Sequence, residues 1–150
     1  MTPKLPVSVL VVVHTAALEV LLMERASRAG FWQSVTGSLD RIDEPPEAAA
    51  RRELHEETGI DARPQDLRRW DLNYTFEIYP RWRHRFEPGT THNTEHVFSL
   101  ALPAPVPVTL APDEHVASLW LPWRAAVDKC FSWTNRDAIR ILGGGGPCAR

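Results

Sequence analysis

The alternation of apolar and polar positions divides the chain into short strands and a few helices. Val7 to Val13 reads Val-Ser-Val-Leu-Val-Val-Val, β-branched and nearly all apolar, the pattern of a central strand buried on both faces. Leu18 to Met23 predicts a second strand, after a turn near Ala16 and Ala17. Phe31 to Gly37 predicts a short third one, with Trp32 in the core. Leu67 to Tyr79 carries Trp70, Leu72, Tyr74, Phe76 and Ile78 in partial alternation, which predicts a long strand. Thr94 to Leu102 and Val116 to Leu121 predict two more. Pro103 to Pro107 is a stiff, extended connector between them. Helices are expected over 122–131 and 134–142, the second capped by Thr134 or Asn135. This succession agrees with helices on both faces of a sheet without singling that arrangement out.

The most informative helix lies at 46–58. Pro45 and Pro46 mark its start, since proline presets φ for the first turn. Ala48, Ala49 and Ala50 are strong helix formers. Gly59 stands where a left-handed residue ends a helix. Its charges oppose this propensity. Glu53, Glu56 and Glu57 fall within roughly a 100° arc, and like charges at these spacings repel. Two of them occupy the last turn, where the helix dipole disfavours anions. A divalent cation reverses that argument, because clustered carboxylates are what hard cations bind. The alternative is a solvated acidic face with Arg51 and Arg52 as surface partners.

Composition narrows the class. The 150 residues are 43% apolar and 24% charged with a net charge of −2, an ordinary globular chain with no global basic field for nucleic acid. Cys130 and Cys148 do not make a disulfide framework and fit a reducing compartment. The apolar run after Lys4 is too short for a membrane span and lacks the features of a signal peptide, so a cytoplasmic protein is expected. One domain over 1–142 is expected, followed by a Gly-rich tail at 143–150 that is expected to be disordered. Arg81-Trp82-Arg83-His84-Arg85 is either a grip for a small anion or a solvated loop.

Gly37, Glu44, then seven residues and Arg52-Glu53-Leu54-x-Glu56-Glu57-x-Gly59-Ile60 resembles the Nudix box, the signature of a family that hydrolyses nucleoside diphosphates linked to another group. The pattern departs in one respect. Six residues separate Gly37 from Glu44 where the family has five, and the extra one is placed in the loop 38–43. Further segments are similar to the bacterial dihydroneopterin triphosphate diphosphatase family: Phe31 to Ser38, Phe76-Glu77-Ile78, Arg83-His84-Arg85, Asn93-Thr94-Glu95, Leu100 to Pro103, and Trp133 with Asn135, Arg136, Ala138 and Ile139.

That resemblance implies an α+β Nudix fold, a mixed sheet sandwiched between helices. It implies Mg2+-dependent hydrolysis (Mn2+ being an alternative) of 7,8-dihydroneopterin triphosphate to the monophosphate and pyrophosphate, a step toward folate. Metal is implied at Glu53, Glu57 and Glu114, with the Gly37 carbonyl as a further ligand and Glu56 as a ligand or base. Substrate contacts are implied at Lys4, Arg25, Thr36, Phe76, Glu77, Ile78, Tyr79 and Ser132. The expected partner is a small pterin or nucleoside triphosphate, bound by a monomer or weak homo-oligomer without nucleic acid or membrane. A general (d)NTP pyrophosphatase and a non-catalytic ligand sensor remain as alternatives. The intact acids of the box argue against the sensor.

Overall fold

The computed structural model describes residues 2–146. Its elements are β1 (Val7–Thr15), β2 (Glu19–Arg25), β3 (Trp32–Gln33), β4 (Val35–Ser38), α1 (Pro46–Thr58), β5 (Leu67–Glu77), β6 (His92–Leu102), β7 (His115–Pro122), α2 (Trp123–Lys129) and α3 (Trp133–Gly143). The sheet is mixed. β1 and β6 run parallel, and the other pairings are antiparallel. The strand order is β3-β2-β1-β6-β5, with β4 on β1 and β7 on β2.

β1 explains why helices cover both faces. Successive side chains of a strand point to opposite sides. Val9, Val11 and Val13 pack with Ala49, Ala50 and Leu54 of α1. Leu10 and Val12 pack with Ala126 and Val127 of α2 and Ala138 and Ile139 of α3. The run therefore fills two cores, which is the expected sandwich. Leu54 is fully buried, so its truncation to alanine costs about 2–5 kcal/mol.

α1 spans the expected residues, and Gly59 closes it at φ 76° with its N–H on the His55 carbonyl. Elsewhere the boundaries moved for identifiable reasons. Leu18 is in a left-handed turn at φ 61°, so β2 begins one residue later. The strand expected over 31–37 is two. The Ser34 N–H donates to Asn135 Oδ1 at 2.8 Å instead of a neighbouring strand, which separates β3 from β4. α3 is capped by Ser132, whose Oγ accepts the Asn135 N–H, not by Thr134 or Asn135. Asn135 is committed to Ser34, whose Oγ also accepts its side-chain N–H. The long strand stops at Glu77, because Pro80 opens a 3-10 segment, Pro80–Arg85.

Gly143 is the last residue of α3, and the Gly144 N–H caps it on the Arg140 carbonyl. The remainder of the expected tail, 147–150, lies outside the described residues. Among the described residues no helix is long and apolar enough to cross a membrane.

Candidate active site

Burying α1 buries part of its acidic face. Leu54, Ala49 and Ala50 press on the sheet, and Glu53 and Glu57, one turn apart on the flank, go in with them at 8% and 1% exposure. Gly37 on β4 makes room: a Cβ there would stand 2.1 Å from the Glu53 carboxyl carbon. Glu57 accepts the Thr36 backbone N–H and shares a hydrogen bond with Glu53. Its Oε1 is nevertheless buried without a partner among the described residues. Glu56, half-exposed, stands 3.6 Å from Arg52.

Across from the helix, Glu114 and His115 arrive at the start of β7. Glu57, Glu114 and His115 each present one ligand atom, all within 4.8 Å of one another. Burial is the largest cause raising the Glu57 carboxyl well above the ordinary value, followed by its bond to Glu53 and the charges of Glu53 and Glu114. Burial likewise raises Glu53, against the lowering effect of Glu57 and Arg52. Two buried carboxylates this close do not both stay ionised unaided. Hard oxygen donors, an unpartnered buried carboxylate oxygen and crowded negative charge together fit a divalent cation. Glu114→Ala is expected to lower turnover at least about tenfold with a raised Mg2+ requirement, the scale of a lost ligand or its support. Unchanged turnover and cation dependence in that variant would return Glu114 to an ordinary loop acid.

His115 is held neutral. Burial and the nearby charge of Arg25 bring it down to about 4. Gln33 Nε2 lies 3.0 Å from His115 Nε2, and Gln33 Oε1 accepts from Arg25 at 3.4 Å. A polar chain thus runs from Arg25 through Gln33 to His115 behind the acids.

These groups form one end of a cavity of about 820 Å³. Lys4, Arg25 and Arg85 line it beside them. Desolvation first, then repulsion from Arg85, lowers the Lys4 ammonium, although Lys4 as a whole residue is exposed. The same two causes lower Arg25, and its Nε is buried without a partner among the described residues. Donors without acceptors beside a cation site are suited to phosphate oxygens. Arg25 also lies over Trp82, 4.8 Å from the ring centroid. The basic 81–85 segment is therefore not wholly solvated: Trp82 and Arg85 face the cavity.

The other end is flat-sided. Phe76, Ile78, Tyr79, Trp82 and Phe131 line it, with Tyr79 and Trp82 5.1 Å apart and Trp82 edge-on to Phe131 at 6.1 Å. Ser8, Asn93, Glu95 and Asn135, all buried, line the same cavity.

Every residue singled out in the sequence lines this one cavity: Glu53, Glu56, Glu57, Gly37 and Glu114 at the acidic end, Lys4, Arg25 and Thr36 beside them, and Phe76 to Tyr79 and Ser132 at the aromatic end. Within the last group Glu77 stands apart. Its carboxylate is 68% exposed and pairs with Arg83 at 3.3 Å. Three groups escaped the sequence reading: His115, Gln33 and Glu95, whereas Arg85 belongs to the basic segment read there as a possible grip for a small anion. Only Glu95 left a signal, because it is in strand phase with Val97, a core residue. The extra residue of the 38–43 loop is absorbed in an exposed turn at 41–43, since Glu44 N–H still closes on the Arg41 carbonyl at 3.1 Å.

A mixed sheet between helices, with the glutamates of α1 lining a cavity, is the arrangement of a Nudix hydrolase. The NUDIX domain model matches residues 4–141, and the chain belongs to that family. The chain is 43% identical over 139 residues to the dihydroneopterin triphosphate diphosphatase of Escherichia coli K12, covering 91% of each chain. It is 36% identical over 137 residues to the Haemophilus influenzae protein of the same name, covering 89% of this chain and 84% of that one. The solved structure of the E. coli dihydroneopterin triphosphate pyrophosphohydrolase superposes with a TM-score of 0.86 at 40% identity, covering 93% and 96% of the two chains.

Proposed function

We propose that this chain hydrolyses 7,8-dihydroneopterin triphosphate to the monophosphate and pyrophosphate, using Mg2+ held by Glu53, Glu57 and Glu114, within one domain over 1–142 and in the cytoplasm. The observation that carries this reading is that one cavity is lined by buried acids, by cations with no ion-pair partner among the described residues, and by aromatic side chains with buried polar groups. The high identity to two proteins named for this activity supports it.

The residues divide the work by charge. Lys4, Arg25 and Arg85 draw in the polyanion and offset negative charge as the leaving pyrophosphate departs. Glu53, Glu57 and Glu114 would hold the cation, with the Gly37 carbonyl as a further ligand. Bound there, it would neutralise phosphate oxygens and lower the pKa of a water. Glu56, on the open side of the helix, is placed to act as the general base toward an attacking water. No side-chain nucleophile is needed.

A hydrolysis panel with Mg2+ tests the reading. Dihydroneopterin triphosphate is expected to exceed dATP and dGTP by about ten- to a hundredfold in kcat/KM, and for dATP a missing partner in a buried site costs roughly 1–3 kcal/mol per group. Equal or higher kcat/KM on any deoxynucleoside triphosphate would leave the general pyrophosphatase reading, which the flat aromatic walls also accommodate.

A further inference from the structure

We infer that Glu95 reads the 2-amino edge of the substrate's ring, accepting hydrogen bonds from two adjacent donors, a ring N–H and the amino group beside it, inside the cavity. This rests on the reading above that the cavity takes a triphosphate carrying a flat heterocycle. It adds which edge of that heterocycle is read, and by what.

Glu95 projects from β6, an interior strand flanked by β1 and β5. It is 5% exposed and lines the cavity. Thr134 hydrogen-bonds to its carboxyl, but Oε1 is buried with no partner among the described residues. Two positions back on the same face, Asn93 also lines the cavity, and among the described residues its Oδ1 is likewise buried without a partner while its Nδ2 donates to Ser8 at 2.7 Å. A buried acceptor left unpaired costs about 1–3 kcal/mol, and a glutamate kept only for packing would be cheaper as leucine or glutamine. Glu95 Oε1 is open to one donor, and the carboxyl oxygen bonded to Thr134 keeps a lone pair for a second beside it.

The position fits. Glu95 is opposite Ser8 in the β1–β6 register, and Thr36 is opposite Leu10 in the β1–β4 register. From strand spacing and rise, the two backbone positions are roughly 12 Å apart. That separation leaves room for a bicyclic ring and its arm between Glu95 and the phosphate end.

A carboxylate matches adjacent N–H donors in bidentate fashion. Pterins and guanine present a ring N–H beside a 2-amino group. Adenine presents no such pair there, and hypoxanthine keeps the ring N–H but lacks the amino group. Burial raises the Glu95 carboxyl to about 7, and arriving donors are what favour its charged form. Glu77, the acid the sequence offered for this edge, is turned to solvent and Arg83.

The test compares GTP with ITP, which differ by that 2-amino group, alongside dihydroneopterin triphosphate, as substrates or, where turnover is slow, as competitive inhibitors. In the wild type, GTP is expected to be preferred over ITP by about tenfold or more. In Glu95→Gln, which keeps the shape but turns one acceptor into a donor, the preference should fall to within about twofold of unity. The kcat/KM on dihydroneopterin triphosphate should fall about thirtyfold or more, through KM. Wild type that treats GTP and ITP alike overturns the inference without any variant, as does a Glu95→Gln protein that keeps the preference. Should Glu95→Gln fold poorly, Glu95→Asp retains both acceptors and is expected to keep GTP ahead of ITP. A Glu95→Asp protein without that preference overturns the inference as well. Failure of wild type to favour dihydroneopterin triphosphate over nucleotides would instead count against the proposed function, with the GTP–ITP comparison still deciding Glu95.

Discussion

Glu57→Gln is expected to lower hydrolysis about 10³-fold or more while the protein stays folded. A cation supplies several kcal/mol of charge stabilisation to such a reaction, and losing about 4 kcal/mol is about 10³ in rate. Glutamine keeps the volume of the side chain and can still accept the Thr36 N–H that Glu57 holds. Stability should move the other way from activity. Burial and its acidic neighbours raise the folded Glu57 carboxyl above the ordinary 4.5. A group raised on folding favours the folded state fully below its unfolded value, and that contribution is lost as pH rises through the folded value. At pH 8 without cation the wild type therefore carries a penalty that the glutamine variant lacks, and the two should converge in acid. Thermal melts at pH 8 should show the cation-free variant as stable as the wild type or more so. Added Mg2+ should then stabilise the wild type and barely move the variant. A large loss of stability in the cation-free variant would mark Glu57 as structural.

That β1 is covered on both faces was legible because it is apolar at both odd and even positions, while the sandwich itself came from the family resemblance. α1 was legible to the residue because proline, alanine and glycine each act locally. What escaped was decided by distant partners. The break at Ser34 depends on Asn135, a hundred and one positions away, and no local pattern carries that. The cap of α3 moved to Ser132 for the same reason. The acidic cluster was readable from helix spacing alone, but not that burial divides it, taking Glu53 and Glu57 inside and leaving Glu56 out. His115 and Glu95 went unremarked because a strand shows its phase more clearly than what lies across from it.

The part of the box that sequence spacing explained least is Arg52, and its loss is expected to destabilise the protein by about 3 kcal/mol. The bland expectation made it a surface cation. Instead its side chain is only 23% exposed and its guanidinium is surrounded. Nε and Nη2 reach both oxygens of Glu44 at 3.1 and 3.0 Å, Nη1 reaches Glu53 at 2.8 Å, and Nη2 also donates to the Ser38 carbonyl at 3.2 Å. Asp40 lies 3.1 Å away at the rim. Glu44 in turn accepts the Asp40 backbone N–H at 2.8 Å. One arginine therefore ties the loop before α1 to the helix and holds the Glu53 carboxylate against Gly37.

Arg52→Met keeps the stem and removes the fork, leaving two buried carboxylates without their cation. Breaking a buried pair in this way costs about 3–5 kcal/mol, and the partial exposure of Arg52 places this case at the lower end. The sign of the pH dependence follows from Glu44. The Arg52 hydrogen bond is the largest cause holding its carboxyl below the ordinary 4.5, with burial opposing it. A depressed carboxylate contributes stability above its unfolded value and loses it as pH falls through the folded value. The gap between wild type and variant should therefore be widest at neutral pH and narrow below 4.5. Urea unfolding at pH 7 and pH 4 measures both. Arg52→Lys, with the charge but not the planar fork, should fall between them. A gap under about 1 kcal/mol at pH 7, or one that does not change with pH, would make Arg52 the surface cation after all.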